Sequence, residues 1–254
     1  MDEVAILETA RLADGSVASG SRVQEALVEL RDTPAPEAFS AITFMMSQAA
    51  EAKGQLFQDL WALWASGLKT GGYFVEFGAA SGVELSNTWL LEKKMGWRGI
   101  LAEPNPVFHE SLRVNRSCDV TAKCVFTHTG DQLEFLASHI PELGRLASVP
   151  VSDMHEERRT RRPQVITVET ISLNDLLIEH GAPRTIDYLS IDTEGSELQI
   201  LEAFDFERWD VSSITVEHNF TPQRQALYDL LTVRGYRRQL EGVSLYDDWY
   251  LKVR

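Results

Sequence analysis

The sequence predicts an α/β protein: an open, mostly parallel sheet finished by an antiparallel hairpin and preceded by a helical extension over residues 1–70. Three observations carry this. Short apolar runs bounded by glycine or acid recur through residues 71–254, spaced so that one helix fits between them, as parallel strands require. Between them lie segments with apolar residues at helical spacing. The last two runs, Tyr236 to Leu240 and Leu245 to Val253, are separated only by a turn at Glu241-Gly242 and read as a hairpin.

The elements follow in order. Residues up to Thr33 are helical, with Val23, Ala26, Leu27 and Leu30 on one face, and Thr33-Pro34-Ala35-Pro36 breaks the pattern. A long helical pattern from Ala38 to Leu68 carries Ile42, Met45, Leu56, Leu60, Trp61 and Trp64, and Gly54 splits it. Its polar positions Gln55, Gln58 and Asp59 either belong to a lid or are incidental. Phe39 to Trp64 holds more large apolar residues than one sheet face needs, so a homodimer through these helices is expected.

Tyr73 to Phe77 is a buried strand, Gly78 to Gly82 a tight turn, and Val83 to Met95 the next helix. Gly99 to Glu103 is the second strand, ending at Pro104-Asn105-Pro106, and Pro106 to Arg116 is helical. Val120 to Thr127 alternates as a third strand. Thr129-Gly130-Asp131 then forms either a simple turn or a loop that reaches an adenine ring. The dense charge run from His155 to Arg162 reads as solvated loop, or as arginines meeting an acidic substrate. Gln164 to Ile171 is a strand, and Ser172 caps a helix from Leu173 to His180 that Gly181 closes. Ile186 to Asp192 is a strand, Glu197 to Phe204 a helix, Ser212 to Glu217 a strand, and Thr221-Pro222 opens a helix to Arg234.

Composition narrows the function. A net charge of −14 argues against broad binding to nucleic acid or an anionic membrane. The two cysteines, Cys118 and Cys124, are too few for a disulfide framework and lack metal-site spacing. No apolar run reaches bilayer length, and Met1-Asp2-Glu3-Val4 lacks the pattern of a signal peptide, so a cytoplasmic protein is expected.

The chemistry starts at the first two strand tips. A glycine turn after one strand and an acid at the tip of the next is how ribose hydroxyls are held, since a carboxylate accepts from both. Phe77 to Val83 does not supply the G-x-G-x-x-G of a hydride-transfer cofactor. Glu76 before the turn is unhelpful to a pyrophosphate and suits the amino group and sulfonium of S-adenosylmethionine. The glycines also have a plain reading, in which they serve packing only.

Phe74 to Gly82 with Ser86-Asn87-Thr88, then Glu103-Pro104-Asn105-Pro106, then Asp187 to Glu197, and finally Val216-Glu217-His218-Asn219 resemble the motifs of the FkbM family of S-adenosylmethionine-dependent methyltransferases. The resemblance runs from Gln55 to the C-terminus. It implies the class I methyltransferase fold over residues 71–254 and O-methylation of a hydroxyl on a sugar or natural product. By position it implies Glu76, Gly78 and Gly82 at the methionine part of the cofactor and Glu103 at its ribose. The cofactor-binding set it suggests is completed by Phe77, Ala79, Asn87, Pro104, Asn105, Thr129 and Asp192. It is silent on residues 1–50 and on His155 to Arg162.

An aliphatic hydroxyl is a poor nucleophile and needs a general base or a cation. Asp192 and Glu217 tip two strands that this fold makes neighbours, about 4.8 Å apart. With His218 or Asn219 they could hold Mg²⁺, an arrangement similar to that of catechol-type O-methyltransferases. Alternatively His218 is the base, oriented by Glu217 or Asp192. In a third reading Asp192 merely caps the following helix. A dinucleotide oxidoreductase and a non-catalytic binding module are the competing classes.

Overall fold

The computed structural model describes residues 36–149 and 163–253. The helix ending at Thr33, the break that follows it and the charge run from His155 to Arg162 lie outside the described residues.

The chain builds α1 (Pro36–Gln48), α2 (Gln58–Ala65), β1 (Tyr73–Phe77), α3 (Trp89–Met95), β2 (Arg98–Ala102), α4 (His109–Asn115), β3 (Asp119–Thr121) and β4 (Cys124–Phe126). It continues with β5 (Gln132–Ala137), β6 (Arg145–Leu146), β7 (Gln164–Ser172), α5 (Leu173–Glu179), β8 (Thr185–Ile191), α6 (Glu197–Glu202), β9 (Asp210–Glu217), α7 (Gln223–Val233), β10 (Tyr236–Gln239), α8 (Glu241–Ser244) and β11 (Asp247–Lys252). The main sheet has the order β10-β11-β9-β8-β1-β2-β3, parallel from β9 to β3, with β11 antiparallel to both its neighbours. This is the class I methyltransferase sheet that the sequence leads one to expect.

The period of two sorts the side chains between two apolar layers. Val75 and Phe77 of β1, Ile100 of β2 and Leu189 and Ile191 of β8 pack with Leu176, Ile200 and Leu227 of α5, α6 and α7. Phe74, Leu101 and Tyr188 face the other way, onto Leu60 and Trp61 of α2 and Leu90 and Leu91 of α3. Met45, Leu60 and Trp61 are buried within the chain, Trp61 with its ring 5.3 Å from that of Trp249. The large apolar residues on which the dimer expectation rested are thus mostly absorbed inside the protomer, although Phe39 stays 78% exposed. Among the described residues no helix is long and apolar enough to cross a membrane.

Four expected elements differ. The helix placed at Val83 starts at Trp89, because residues 82–88 wrap the buried carboxylate of Glu76. Ser86 Oγ at 3.0 Å, the Asn87 N–H at 2.7 Å and Thr88 Oγ1 all donate to it. The long helix from Ala38 is broken over 49–57 rather than at Gly54 alone. Asp59 drives this break by accepting from the N–H groups of Lys53, Gly54 and Leu60. The strand expected over Val120 to Thr127 is two strands in two sheets: β3 pairs with β2, while β4 pairs with β7. Alternation continues across Ala122-Lys123, so sequence period cannot reveal the change of sheet. The hairpin turn is the short helix α8, entered at Leu240 (φ 51°) and left at Leu245 (φ 52°, ψ −105°).

One feature has no counterpart in the expected elements: a second sheet of order β4-β7-β5-β6. β5 lies antiparallel to β7 from Gln132↔Glu169 to Ala137↔Gln164, and β6 adds to β5.

Candidate active site

Parallel strands deliver their C-terminal tips to one edge, and in this sheet the tips surround a cavity. Lining it are Gly78 after β1, Glu103 after β2, Asp192 after β8 and Glu217 at the end of β9. Because β11 is antiparallel, it is its start that reaches this edge: Asp247 lies in register with Glu217, and Tyr246 precedes it. The second sheet and its connections close the opposite side with Cys124, Val125, Phe135, Leu143 and Leu146. The cavity has an apolar end beside β2 and an acidic end over β8, β9 and β11.

Charge separates the two ends. Glu103, Glu142, Asp192, Glu194, Glu217 and Asp247 line the cavity, and no lysine, arginine or histidine does so among the described residues. Glu103 accepts from the N–H groups of Ala80 (2.9 Å) and Asn105 (2.8 Å), which fix its carboxylate across the glycine turn. Burial pushes its pKa up to about 7. Asp192 and Glu217 lie side by side, partly exposed to the cavity, with oxygens within 4.8 Å of each other. Desolvation and the neighbouring acids raise both carboxyls well above the ordinary range. Like charges this close raise one another's carboxyls further, as Glu194 does to both here and Asp192 does to Glu217. Asp247 accepts from Gln58 Nε2 at 2.8 Å, and burial pushes it up to about 7.

The residues named from the sequence divide. Phe77, Gly78, Asn87, Glu103, Pro104, Asp192, Glu217 and Asn219 line the cavity. Asn87 donates to Ser190 Oγ at 2.9 Å, and its Oδ1 is buried without a partner. Gln55 and Gln58, the polar positions of the extension, also line it, whereas Asp59 is buried in the loop it organises.

The others do not reach it. Glu76 shares a face with Phe74, under the loop it anchors, with Arg116 Nη1 3.8 Å away. Ala79 packs in the apolar layer of α2 and α3. At Gly82 (φ 75°) a Cβ would lie 2.8 Å from Arg116 Cγ, so this glycine lets the loop pack on α4. Gly78 (φ 73°) serves packing too, since a Cβ there would be 2.1 Å from the Asp192 carbonyl oxygen. Asn105 is turned to the Pro141 carbonyl, at 3.1 Å, and contributes its N–H to Glu103. Thr129 Oγ1 bonds Asp175 and Ser172, at the start of α5.

His218 is displaced most clearly. Its Nδ1 accepts from the Phe220 N–H at 3.0 Å, and its Nε2 lies 3.7 Å from Asp248, outside the cavity lining. Desolvation depresses it to about 4, against the opposing pull of Asp248. The cause is strand alternation: Glu217 points to the cavity, so the next residue points behind it. Glu194 takes the place the sequence gave to His218. Asp192, Glu194 and Glu217 each offer an oxygen, and these atoms lie within 4.8 Å of one another. Asp192 does not cap α6 through a side chain: Ser196 is the residue at that position, and Glu197 instead ties Thr193 and Gly195 into the turn.

Sequence reasoning missed the whole apolar end, together with Glu142, Glu194, Tyr246 and Asp247. The signal for Asp247-Asp248 was available, as two acids entering a strand otherwise read as apolar.

Comparison with known proteins agrees with this architecture. The model of the methyltransferase FkbM domain matches residues 76–238, well over half of the 254-residue chain. No curated protein matches it. One matching solved structure is a precorrin-6y C5,15-methyltransferase from Geobacter metallireducens GS-15, at 14% identity, 71% of each chain and a TM-score of 0.39. On that match, from within β1 to within β10, the chain belongs to the FkbM methyltransferase family, which implies S-adenosylmethionine as the methyl donor.

Proposed function

We propose that this protein is an S-adenosylmethionine-dependent O-methyltransferase acting on a hydroxyl of a small sugar or natural product. The observation that carries this is the Asp192–Glu217 pair at neighbouring strand tips, set in a cavity lined by six acids and, among the described residues, by no cation. Such walls suit a sulfonium and an ammonium and disfavour the pyrophosphate of a dinucleotide. They equally disfavour an acceptor with a phosphate or carboxylate beside its reacting hydroxyl.

The side chains fit the donor. Glu103 has two N–H partners and keeps lone pairs free for two ribose hydroxyls. Phe135, Leu143 and Leu146 offer an apolar wall to a flat base. Asn87 Oδ1, otherwise unsatisfied, can accept from an ammonium. When bound, S-adenosylmethionine supplies a methyl group on a positively charged sulfur, open to in-line attack. The Asp192–Glu217 pair takes the hydroxyl proton as the oxygen–carbon bond forms and the carbon–sulfur bond breaks. Its raised pKa brings it closer to neutral pH, where general bases work best.

A second reading places a hard divalent cation such as Mg²⁺ on Asp192, Glu194 and Glu217, favoured by the spacing of their oxygens. Under it the cation lowers the pKa of the hydroxyl and the same acids serve as ligands. Calorimetric titration with S-adenosylhomocysteine and with NAD tests the donor, and NAD binding alone would sink it. A screen of sugars and metabolites with labelled donor then identifies the acceptor. Turnover that survives EDTA supports the carboxylate base; turnover that EDTA abolishes and Mg²⁺ restores supports the cation.

A further inference from the structure

Tyr246, like Asn87, lines the cavity and carries a polar atom with no hydrogen-bond partner inside the protein. In Asn87 that atom is Oδ1; in Tyr246 it is the buried phenol hydroxyl. A buried hydroxyl without a partner is destabilising, so its persistence calls for an explanation. Asp192, Glu217 and Asp247 all lie close enough to act on it electrostatically, yet none bonds to it.

Its backbone is held under strain. Leu245 just before it has φ 52° and ψ −105°, a conformation sparsely populated for a non-glycine residue. The Tyr246 carbonyl accepts from both the His218 and Asn219 N–H groups, at 2.8 and 3.1 Å. Asn219 and Phe220 in that turn also have positive φ, of 44° and 54°. Two strained turns are therefore locked to each other through the Tyr246 backbone, with the residue held in the cavity wall. Sheet order fixes which part of a ligand it meets. Glu103 stands on one side of β1, and β8, β9 and the start of β11 follow in turn on the other. With the ribose at Glu103 and the donor sulfur over Gly78, Tyr246 lies beyond the transferring methyl.

We propose that Tyr246 is an acceptor-binding residue, whose hydroxyl forms a hydrogen bond with the polar group that enters next to the Asp192–Glu217 pair. This rests on the donor placement proposed above. A phenol with this role orients the acceptor oxygen while the carboxylate pair takes its proton.

The test needs no knowledge of the acceptor. Sinefungin is an analogue of S-adenosylmethionine that carries a primary amine on carbon where the donor has its methyl sulfonium, so its ammonium projects toward the acceptor side. S-adenosylhomocysteine has nothing there. Both are titrated calorimetrically into the full chain, wild type and Tyr246→Phe. The expected result is an unchanged Kd for S-adenosylhomocysteine and a Kd for sinefungin raised about tenfold, the loss of one hydrogen bond to a charged group. The melting temperature without ligand should hold or rise, because an unpartnered hydroxyl has been removed. Equal weakening of both ligands would overturn the proposal by placing Tyr246 on the common part of the cofactor. No change in either, or a melting temperature lowered by several degrees, would overturn it by removing the hydroxyl from the acceptor side. If the wild type binds neither ligand, the donor placement falls, and the role of Tyr246 falls with it.

Discussion

The two ends of the cavity are built by different means. The acidic end is made by residues at strand tips of the main sheet, and its geometry follows from strand order and register: Asp192 after β8, Glu217 on β9 and Asp247 opposite it. The apolar end comes from β4 to β6 and the connections around them, a separate small sheet that meets the main one beside β2. At the first, position is set by the hydrogen-bond ladder and the side chains are mostly carboxyls. At the second, shape is set by packing, and no single residue is indispensable. Substitutions should therefore act on chemistry at one end and on affinity at the other.

The boundary between the ends is the most sensitive point. Gly78→Val should abolish the soluble fold, because a side chain there meets the backbone oxygen of Asp192; expression of folded, cooperatively melting protein would contradict this. Within the acidic end, Asp192→Asn and Glu217→Gln should each lower turnover by about 10²–10⁴-fold. S-adenosylhomocysteine affinity should stay near wild type, as calorimetry would reveal. On the apolar side of β1, Glu103→Ala should weaken S-adenosylhomocysteine binding by about 2 kcal/mol, from the loss of two charge-assisted bonds. Phe135→Leu should weaken it by about 1 kcal/mol or less and leave kcat at saturating donor unchanged. His218→Ala sets the floor, with turnover within a few-fold of wild type, since the ring lies behind the cavity wall. A hundredfold loss there would restore histidine as the base.

Acidity also separates the protein from an ordinary one in its response to pH. Asp59 (about 6), Glu103 and Asp247 (both about 7) hold their protons in the fold at pH values where an unfolded chain has lost them. Between the ordinary carboxylate range near 4 and about 7 the native state binds more protons, so stability falls as pH rises through that window. His218, depressed to about 4, pulls the other way below its ordinary value, but it is one group against several. The melting temperature of the free protein should be higher at pH 5.5 than at pH 8, and a flat profile would count against the buried acids.

Strands of the main sheet were legible because each is a short apolar run and β9 and β8 carry their acids at the last turn before a loop. Gly78 lines the cavity, as expected of a glycine that lets a ligand approach, and it also makes room for the Asp192 backbone, which its letter alone does not reveal. Glu76 shows the same limit. A carboxylate next to a glycine turn has the same letters whether it faces a cofactor or, as here, two hydroxyls, an N–H and an arginine from α4. The second sheet was invisible because β6 has only two residues and β5 exposes alternate polar side chains without a buried face long enough to register. Partners distant in sequence, such as Gln58 with Asp247, leave no local trace at all.

Strand order has one more consequence, and it concerns time. β11 is inserted between β9 and β10, both of which precede it in the chain, and it brings Tyr246 and Asp247 to the cavity. The glycine turn, Glu103, Asp192 and Glu217 all precede β11 in the chain, and β10, which among the described residues pairs only with β11, can join the sheet only once β11 has paired with β9. The edge of the sheet and the cavity wall at Tyr246 and Asp247 are therefore completed in one and the same step.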